Sequence, residues 1–200
     1  MAAKTRAEKM EETRLKLIAA GRKAFAEKGY ADASMDELTA TAGLTRGALY
    51  HNFGDKRGLL AAVVDEVDSA MAQKAKDAGD AAGGGWNGLM AEGRTYIELA
   101  LDPEIQRIVL RDGPAFLGDP SNWPSQNRCL QATIQTLSEL ADQGAIKPVD
   151  IEALARLLNG VAMNAALWVA ASDDPQETLR KAIAAFEVLA AGVLVTPDGK

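Results

Sequence analysis

Apolar residues recur every three or four positions along almost the whole chain, and this period predicts helices rather than strands. Nine segments carry the pattern. Most of them begin after a capping Asp, Ser or Thr, or end at a glycine or before a proline. The first covers residues 11–28, and the last two cover residues 151–171 and 175–194. The chain is therefore predicted to be all-α, with about nine helices.

The stretch Ser34–Lys56 predicts two short helices joined by a tight turn. Ser34 is a good helix N-cap, and Glu37, three residues later, would complete a capping box. Gly43 supplies the backbone freedom that a helix end requires, and Thr45 can cap the second helix. The fourth helix is expected to begin directly after this pair.

The second short helix is predicted to turn an unusual set of side chains outward. Ala48, Leu49 and Phe53 share its apolar side, so other residues form the outer face. The outer residues are Arg46, Gly47, Tyr50, His51 and Asn52. Lys and Glu would suffice for solubility, whereas Arg, Tyr, His and Asn suit contacts with phosphates and base edges in a DNA major groove.

This stretch resembles the helix-turn-helix of TetR-family transcriptional regulators. The matching features are G-L-T at 43–45, G-A-L-Y-H-N-F at 47–53, and the Lys56 and Leu59 that open the next helix. The resemblance is strong over residues 10–65, and beyond them it rests on length and helical pattern. It implies a helix-turn-helix DNA-binding domain of three helices at residues 1–60, followed by a ligand-binding and dimerisation domain at residues 61–200.

The outer face and the resemblance together suggest which residues meet DNA. The expected DNA-binding residues are Ser34, Thr45, Arg46, Gly47, Tyr50, His51, Asn52 and Lys56. Arg46 is the candidate for a guanine edge, and Gly47 would allow close approach of the backbone. The resemblance gives Lys56 a phosphate at the start of the fourth helix, where a helix N-terminus also favours an anion.

Charge is distributed unevenly along the sequence. The net charge is −6, but residues 1–60 carry +3 and residues 61–200 carry −9. Basic residues are thus concentrated in the segment that is expected to meet phosphate, while the acidic remainder limits non-specific binding.

Residues that bind metals or perform catalysis are scarce in this chain. It has one histidine, His51, and one cysteine, Cys129, too few for a zinc site built on several such ligands. It also lacks the glycine-rich motifs of nucleotide-binding loops. We therefore expect no enzyme activity, no catalytic residue, no metal and no cofactor. The charged N-terminus and the lack of a long apolar run predict a cytoplasmic protein that does not enter membranes.

The last two predicted helices are apolar on more than one side, although a surface helix needs only one apolar stripe. Either they are buried centrally within one chain, or a second subunit covers them. The resemblance implies a homodimer in which these two helices of each subunit form a four-helix interface. A two-fold dimer would present two heads to two half-sites of a near-palindromic double-stranded DNA operator.

The resemblance further implies a small-molecule effector that binds in the body and changes the spacing of the two heads. Aromatic and Met side chains with a few polar groups would suit a largely apolar ligand, and the same residues would equally suit core packing. The candidate pocket residues are Trp86, Met90, Arg94, Tyr96, Arg111, Phe116, Trp123, Met163, Asn164 and Trp168.

The sequence thus predicts a sequence-specific DNA-binding regulator, and the resemblance implies a repressor that an effector releases from DNA. The alternative is a helical small-molecule-binding protein whose degenerate head no longer reads DNA. The acidic total charge is the feature that favours this alternative.

Overall fold

The computed structural model describes residues 5–195 of the 200-residue chain. Within that range it consists of nine helices and contains no strand, which confirms the all-α prediction. The helices are α1 (Arg6–Lys28), α2 (Met35–Thr41), α3 (Arg46–Phe53), α4 (Lys56–Ala81), α5 (Gly85–Glu98), one continuous helix at 103–117, α8 (Pro124–Asp142), α9 (Ile151–Ala170) and α10 (Pro175–Ala191). The helix at 103–117 joins α6 (Pro103–Ile105), a π-helical stretch (Gln106–Asp112) and α7 (Gly113–Leu117).

Helix α1 begins at Arg6 rather than at residue 11, where the apolar pattern starts. The cause is a capping box: the backbone N–H of Glu8 donates to Thr5 Oγ1 (3.2 Å), and the N–H of Thr5 donates to Glu8 Oε2 (2.7 Å). Exposed pairs such as Glu12–Lys16 then support the first turns of the helix. Capping and charge pairs thus extend the helix where apolar periodicity gives no signal.

The chain forms two compact units, and neither is continuous in sequence. The first unit extends to Val67 and also includes Pro103–Pro120. The second comprises Asp68–Asp102 and the described residues from Ser121 onward. The division within α4 therefore lies between Val67 and Asp68.

The first unit is built on α1, which packs against α2, α3 and the π-helical stretch. Its core contains Leu17, Phe25, Leu38 and Leu49, whose side chains are almost completely buried. Burying such side chains contributes about 1.5–3 kcal/mol each to folding. The short helices α2 and α3 are thus held by tertiary packing, because helices of seven or eight residues are marginal in isolation.

The segment 103–117 is tied to α1 by polar contacts. Arg22 donates through Nε and Nη2 to both carboxylate oxygens of Glu104 (2.8 and 2.7 Å) and through Nη1 to Glu66 (3.2 Å). The backbone N–H of Tyr30 donates to Asp112 Oδ2 (2.7 Å). These contacts join residues more than forty and more than eighty positions apart, so they give the first unit its discontinuous sequence.

Replacing Asp112 by Ala should destabilise the first unit. The Asp112 side chain is buried, and its loss leaves the Tyr30 N–H without its acceptor. We expect the free energy of unfolding to fall by about 1–3 kcal/mol in urea titrations followed by circular dichroism. Arg111→Ala, at the exposed neighbouring position, is the control and should change it by less than about 0.5 kcal/mol. Equal effects of the two substitutions would contradict this account.

The second unit is organised around α9, which contacts α5, α8 and α10. A buried apolar cluster that includes Leu89, Leu137, Leu140 and Leu154 lies between α5, α8 and α9. Helix α9 is also the one described helix that is long and apolar enough to cross a membrane, and 33% of that stretch is buried within the chain. Packing within the chain therefore does not account for the apolar residues of α9 that stay exposed.

Candidate functional site

Helix α2 begins as the sequence predicts but is capped differently. Ser34 is the N-cap, and its Oγ accepts a hydrogen bond from the N–H of Asp36 (3.2 Å). The predicted capping box is not formed, because the carboxylate of Glu37 accepts from Lys28 Nζ (2.7 Å). Ser34 therefore fixes the start of α2, and the Lys28–Glu37 pair ties α2 to the end of α1.

The turn between α2 and α3 has the predicted geometry. Gly43 has φ +65°, a left-handed conformation that glycine adopts without steric cost. The N–H of Leu44 donates to Thr39 O (2.8 Å), which closes the end of α2. Thr45 then caps α3 by accepting from the N–H of Ala48 (3.2 Å). The two helices are thus oriented by backbone and cap interactions that the sequence specifies locally.

Helix α3 has one buried side and one exposed side. Leu49 is fully buried, whereas Arg46, Gly47, Tyr50 and His51 are exposed. Asn52 is only partly exposed, and its Nδ2 donates to the carbonyl oxygen of Ala48 (2.7 Å). The predicted outer face is therefore formed by four of its five residues, while the Asn52 amide is turned back onto its own helix.

Arg46 is held by Asp36 of α2. Its Nη2 lies 2.6 Å from Asp36 Oδ2, and its Nε donates to Asp36 Oδ1 in a bidentate arrangement. Both side chains are more than half exposed, so this pair contributes only about 0–1 kcal/mol. Little free energy therefore holds the Arg46 guanidinium at Asp36, and another partner could replace that carboxylate.

Gly47 has free space where a side chain would begin. A Cβ built at this position would have Thr45 Oγ1, at 3.7 Å, as its nearest neighbour. Neither backbone conformation nor internal packing requires glycine here, since its φ is not positive. An external surface that lies close to the α3 backbone would provide a reason for it.

Lys56, at the first turn of α4, is held close to the protein surface. Its Nζ lies 4.7 Å from the centre of the Tyr30 ring and donates to the carbonyl oxygen of Ala31 (3.2 Å). Partial burial lowers the pKa of Lys56, and Asp32 opposes that effect. Partial loss of hydration makes an anion near this cation favourable.

The aromatic support beneath Lys56 comes in part from the segment 103–117, which sequence reasoning missed. The ring of Phe116 lies 4.4 Å from the ring of Tyr30, centre to centre. Arg57 Nε donates to the carbonyl oxygen of Phe116 (3.0 Å). Phe116 was expected in a ligand pocket, but it belongs to the first unit, beside the residues that start α4.

A cavity of about 70 Å³ lies inside the second unit. Its apolar lining includes Leu89, Met90, Leu158 and Phe186. A wider groove of about 480 Å³ lies between α4 and α8. Ala72, Glu92 and Cys129 line both spaces, so they mark the place where the cavity and the groove meet.

Three polar side chains converge at the cavity. Asp68 is 1% exposed and accepts from Gln126 Nε2 (2.9 Å) and from the Tyr96 hydroxyl (3.3 Å). Burial raises the pKa of Tyr96 well above its usual value, so its hydroxyl stays protonated and can donate. Burial also raises the pKa of the Cys129 thiol to about 11, which favours the neutral thiol over the thiolate at neutral pH.

Two of the ten expected pocket residues, Met90 and Tyr96, line this cavity. The other eight are not among its lining residues. Trp86 packs against the apolar cluster of the second unit, Arg94 is exposed and pairs with Glu187, and Arg111 and Phe116 belong to the first unit. Trp123 is buried at the start of α8, Met163 Sδ lies 3.8 Å from the Tyr96 hydroxyl, and Asn164 and Trp168 are exposed on α9. Periodicity gave no signal for the polar lining residues Glu92 and Gln126.

Helices α9 and α10 share an exposed apolar face. Leu157 and Trp168 on α9 are 68% and 51% exposed, and Val188 and Leu189 on α10 are 75% and 65% exposed. Gly160 lies on the same side of α9, and a Cβ there would meet no atom within 4 Å. Exposed apolar side chains grouped on two neighbouring helices are typical of a surface that binds another molecule.

The residues at 5–195 contain no group of three or more His, Cys, Asp or Glu side chains that could hold a metal ion.

Two family models match this sequence. Residues 17–63 match the N-terminal model described as bacterial regulatory proteins of the tetR family. Residues 86–193 match a C-terminal domain model described as tetracyclin repressor-like. The two matches include the helix-turn-helix and nearly all of the described part of the second unit beyond α4.

Similar proteins cover most of the chain. A solved TetR-family transcriptional regulator from Pectobacterium atrosepticum is 49% identical, with a TM-score of 0.86, and the match covers 97% of this chain and all of that one. The transcriptional repressor AcnR of Corynebacterium efficiens is 30% identical over 71% of this chain and 73% of its own length. The TetC protein of transposon Tn10 from Escherichia coli is 26% identical over 80% of this chain and 81% of its own length.

Proposed function

The chain belongs to the TetR family of helix-turn-helix transcriptional regulators, and on that premise we propose that it is a cytoplasmic homodimeric repressor that a small molecule releases from operator DNA. Regulators of this family bind operator DNA, typically as dimers. The observation that carries the proposal is the outer face of α3, with exposed donors on either side of a glycine that its own chain does not require.

For the DNA interface, we assign base reading to Arg46 and close approach to Gly47. Phosphate contacts fall to Thr45, Tyr50 and His51, all exposed on or next to α3. Lys56 adds a cation at the first turn of α4, held over Tyr30. Ser34 contributes by fixing α2 through its cap, while Asn52 can act only if it gives up its bond to Ala48.

For the dimer, we assign the interface to the exposed apolar face of α9 and α10. Its four large side chains are each more than half exposed, and isolated subunits rarely leave such a surface uncovered. A second copy offers the same surface, as an isologous two-fold interface requires. This assignment also accounts for the exposed apolar positions of α9 without placing that helix in a membrane.

For the effector, we assign binding to the cavity of the second unit and to the groove that adjoins it. The lining is mainly apolar, with a few convergent polar groups, which is the usual character of a small-molecule site. The DNA-binding and sensing roles would thus divide between residues 1–60 and residues 61–200, except that residues 61–67 and Pro103–Pro120 belong to the first unit.

The test is a gel shift with DNA from upstream of the gene that encodes this protein. A specific complex, formed with the upstream DNA but not with an unrelated fragment of equal length, is expected. If the purified protein forms no specific complex with any such fragment, the rival function of a small-molecule-binding protein with a degenerate head takes its place.

Replacing Arg46 and replacing Lys56 by Ala should have different effects. Arg46→Ala should relax sequence preference at one base pair by about 1–3 kcal/mol, because a bidentate base contact is lost. Lys56→Ala should weaken binding to all sequences alike and lower the slope of log affinity against log salt by about one, because one phosphate contact is lost. Fluorescence anisotropy with a set of single-base operator variants, at several salt concentrations, separates the two effects.

The control for both is Lys74→Ala, an exposed lysine in the second unit, far along α4 from the helix-turn-helix. It should leave both the base preference and the salt slope unchanged. Wild-type base preference in Arg46→Ala would refute the assignment of base reading to this residue.

A further inference from the structure

Glu92 lies where the cavity and the groove meet, and its carboxylate has no hydrogen-bond partner among the described residues. Its side chain is only partly exposed, and no residue in the described part of the chain donates a hydrogen bond to it or forms an ion pair with it. Burial raises the pKa of Glu92 against the opposing effect of Lys76. A carboxylate in this setting would gain from a cation that arrives with a ligand.

The position of Glu92 is fixed by close packing of α4 and α5. A Cβ on Gly79 would lie 2.6 Å from both Cγ and Oε1 of Glu92, so the side chain lies directly against the backbone of α4. Lys76, the cation that acts on Glu92 electrostatically, is exposed and donates to both carboxylate oxygens of Asp80 (2.8 and 2.9 Å). The structure therefore places the Glu92 carboxylate at the junction without giving it a partner there.

A second polar group at the groove also lacks a partner. Ser125 is 3% exposed and lines the groove, and its Oγ makes no hydrogen bond within the described residues. Leaving a buried hydroxyl without a partner costs about 1–3 kcal/mol, so a ligand that supplies one gains affinity. Glu92 and Ser125 are independent indications that a polar ligand group enters this groove.

We propose that the effector is an amphipathic amine, whose apolar chain occupies the cavity and whose protonated amino group binds the Glu92 carboxylate, with Ser125 Oγ accepting a hydrogen bond from the polar part. This rests on the proposed role of the cavity as the effector site. The small cavity and the apolar contacts at Leu89, Leu158 and Phe186 suit a narrow alkyl chain. Lys76 and Arg128 also line the groove, but they donate to Asp80 and to Ser69. No described residue donates a hydrogen bond to the Glu92 carboxylate, so the junction favours a cationic ligand group over an anionic one.

Three probes of equal chain length test this class: n-hexylamine, 1-hexanol and hexanoate. At neutral pH they present a cation, a neutral hydroxyl and an anion, each in a molecule of six carbon atoms. Binding to the DNA-free, full-length protein is measured by isothermal titration calorimetry. We expect hexylamine to bind at least about tenfold more tightly than hexanol, and hexanoate to bind most weakly.

Two variants locate the effect. Glu92→Gln should reduce the advantage of hexylamine over hexanol to less than about twofold, while hexanol binding is retained. Glu98→Gln makes the same change at an exposed position of α5 and should leave the advantage unchanged. Thermal melting checks that each variant is folded, and hexanol binding reports an intact cavity.

The proposal is overturned if hexanoate binds best, if Glu92→Gln keeps the preference for the amine, or if none of the three probes binds at millimolar concentration. Because binding is measured without DNA, these results do not depend on whether the protein recognises an operator. Failure of the gel shift together with amine binding would reject the repressor function and keep the ligand class.

Discussion

Replacing Val188 by Glu is expected to convert the proposed dimer into monomers and to weaken operator binding by about 100-fold or more. Val188 is 75% exposed in the subunit and lies on the apolar face assigned to the interface. Burying a carboxylate against an apolar surface is strongly unfavourable, and a two-fold interface contains the substitution twice. Loss of the second head removes an avidity gain that is of the order of 10²–10⁴.

Light scattering after size-exclusion chromatography measures the mass, and fluorescence anisotropy measures affinity for the upstream DNA. Val149→Glu is the matched control, because Val149 is 47% exposed and lies outside both α9 and α10. It should remain dimeric and bind DNA as the wild type does. A dimeric Val188→Glu protein would show that the exposed face of α9 and α10 is not the interface.

Replacing Gly47 by Ala should stabilise the protein and yet weaken its binding to DNA. The added methyl group has room within the chain, and Ala is favoured over Gly in a helix by about 1 kcal/mol. On DNA the same methyl group would meet the duplex at its closest approach to α3. We expect affinity to fall by about 10- to 100-fold, equivalent to the loss of one or two contacts of about 1–3 kcal/mol.

The opposite signs of the two effects make this test specific. Thermal melting should show a midpoint at or above that of the wild type, which excludes unfolding as the cause of weaker binding. Anisotropy with the upstream DNA then reports the interface alone. Wild-type affinity combined with a raised midpoint would mean that the backbone at Gly47 does not approach DNA closely.

The helix-turn-helix was largely predictable because its determinants are local. Ser34 and Thr45 cap α2 and α3 through hydrogen bonds to residues two or three positions away, and Gly43 adopts the left-handed turn that the sequence requires. Even here one local prediction failed. The carboxylate of Glu37 accepts a hydrogen bond from Lys28, which tertiary packing brings close, and does not form the capping box.

The partners of the segment 103–117 were not predictable in the same way. The contacts of Arg22 with Glu104 and of Tyr30 with Asp112 each span 82 positions, and long-range pairs of this kind leave no periodic trace in one sequence. Phe116 is an aromatic residue of the type that lines ligand pockets, but its ring packs on Tyr30. The aromatic side chain of Phe116 suggested a ligand pocket, but the fold places this residue in the first unit.

The ligand cavity was predicted only in part, for a related reason. Aromatic and Met residues were chosen by type, but the direction of each helix face decides which of them reach the interior. Met90 and Tyr96 on α5 do so, whereas Trp168 on α9 is 51% exposed. The polar lining residues Glu92 and Gln126 cannot be told from surface residues in the sequence, because only their burial in the folded chain distinguishes them.

The discontinuous first unit has a consequence for anyone who wishes to exchange sensor modules between regulators. A chimera joined at a single point within α4 would carry Arg22 and the Tyr30 backbone N–H without Glu104 and Asp112, their acceptors from later in the chain. Transplanting this DNA reader intact therefore requires two grafts, one through Val67 and one across Pro103–Pro120.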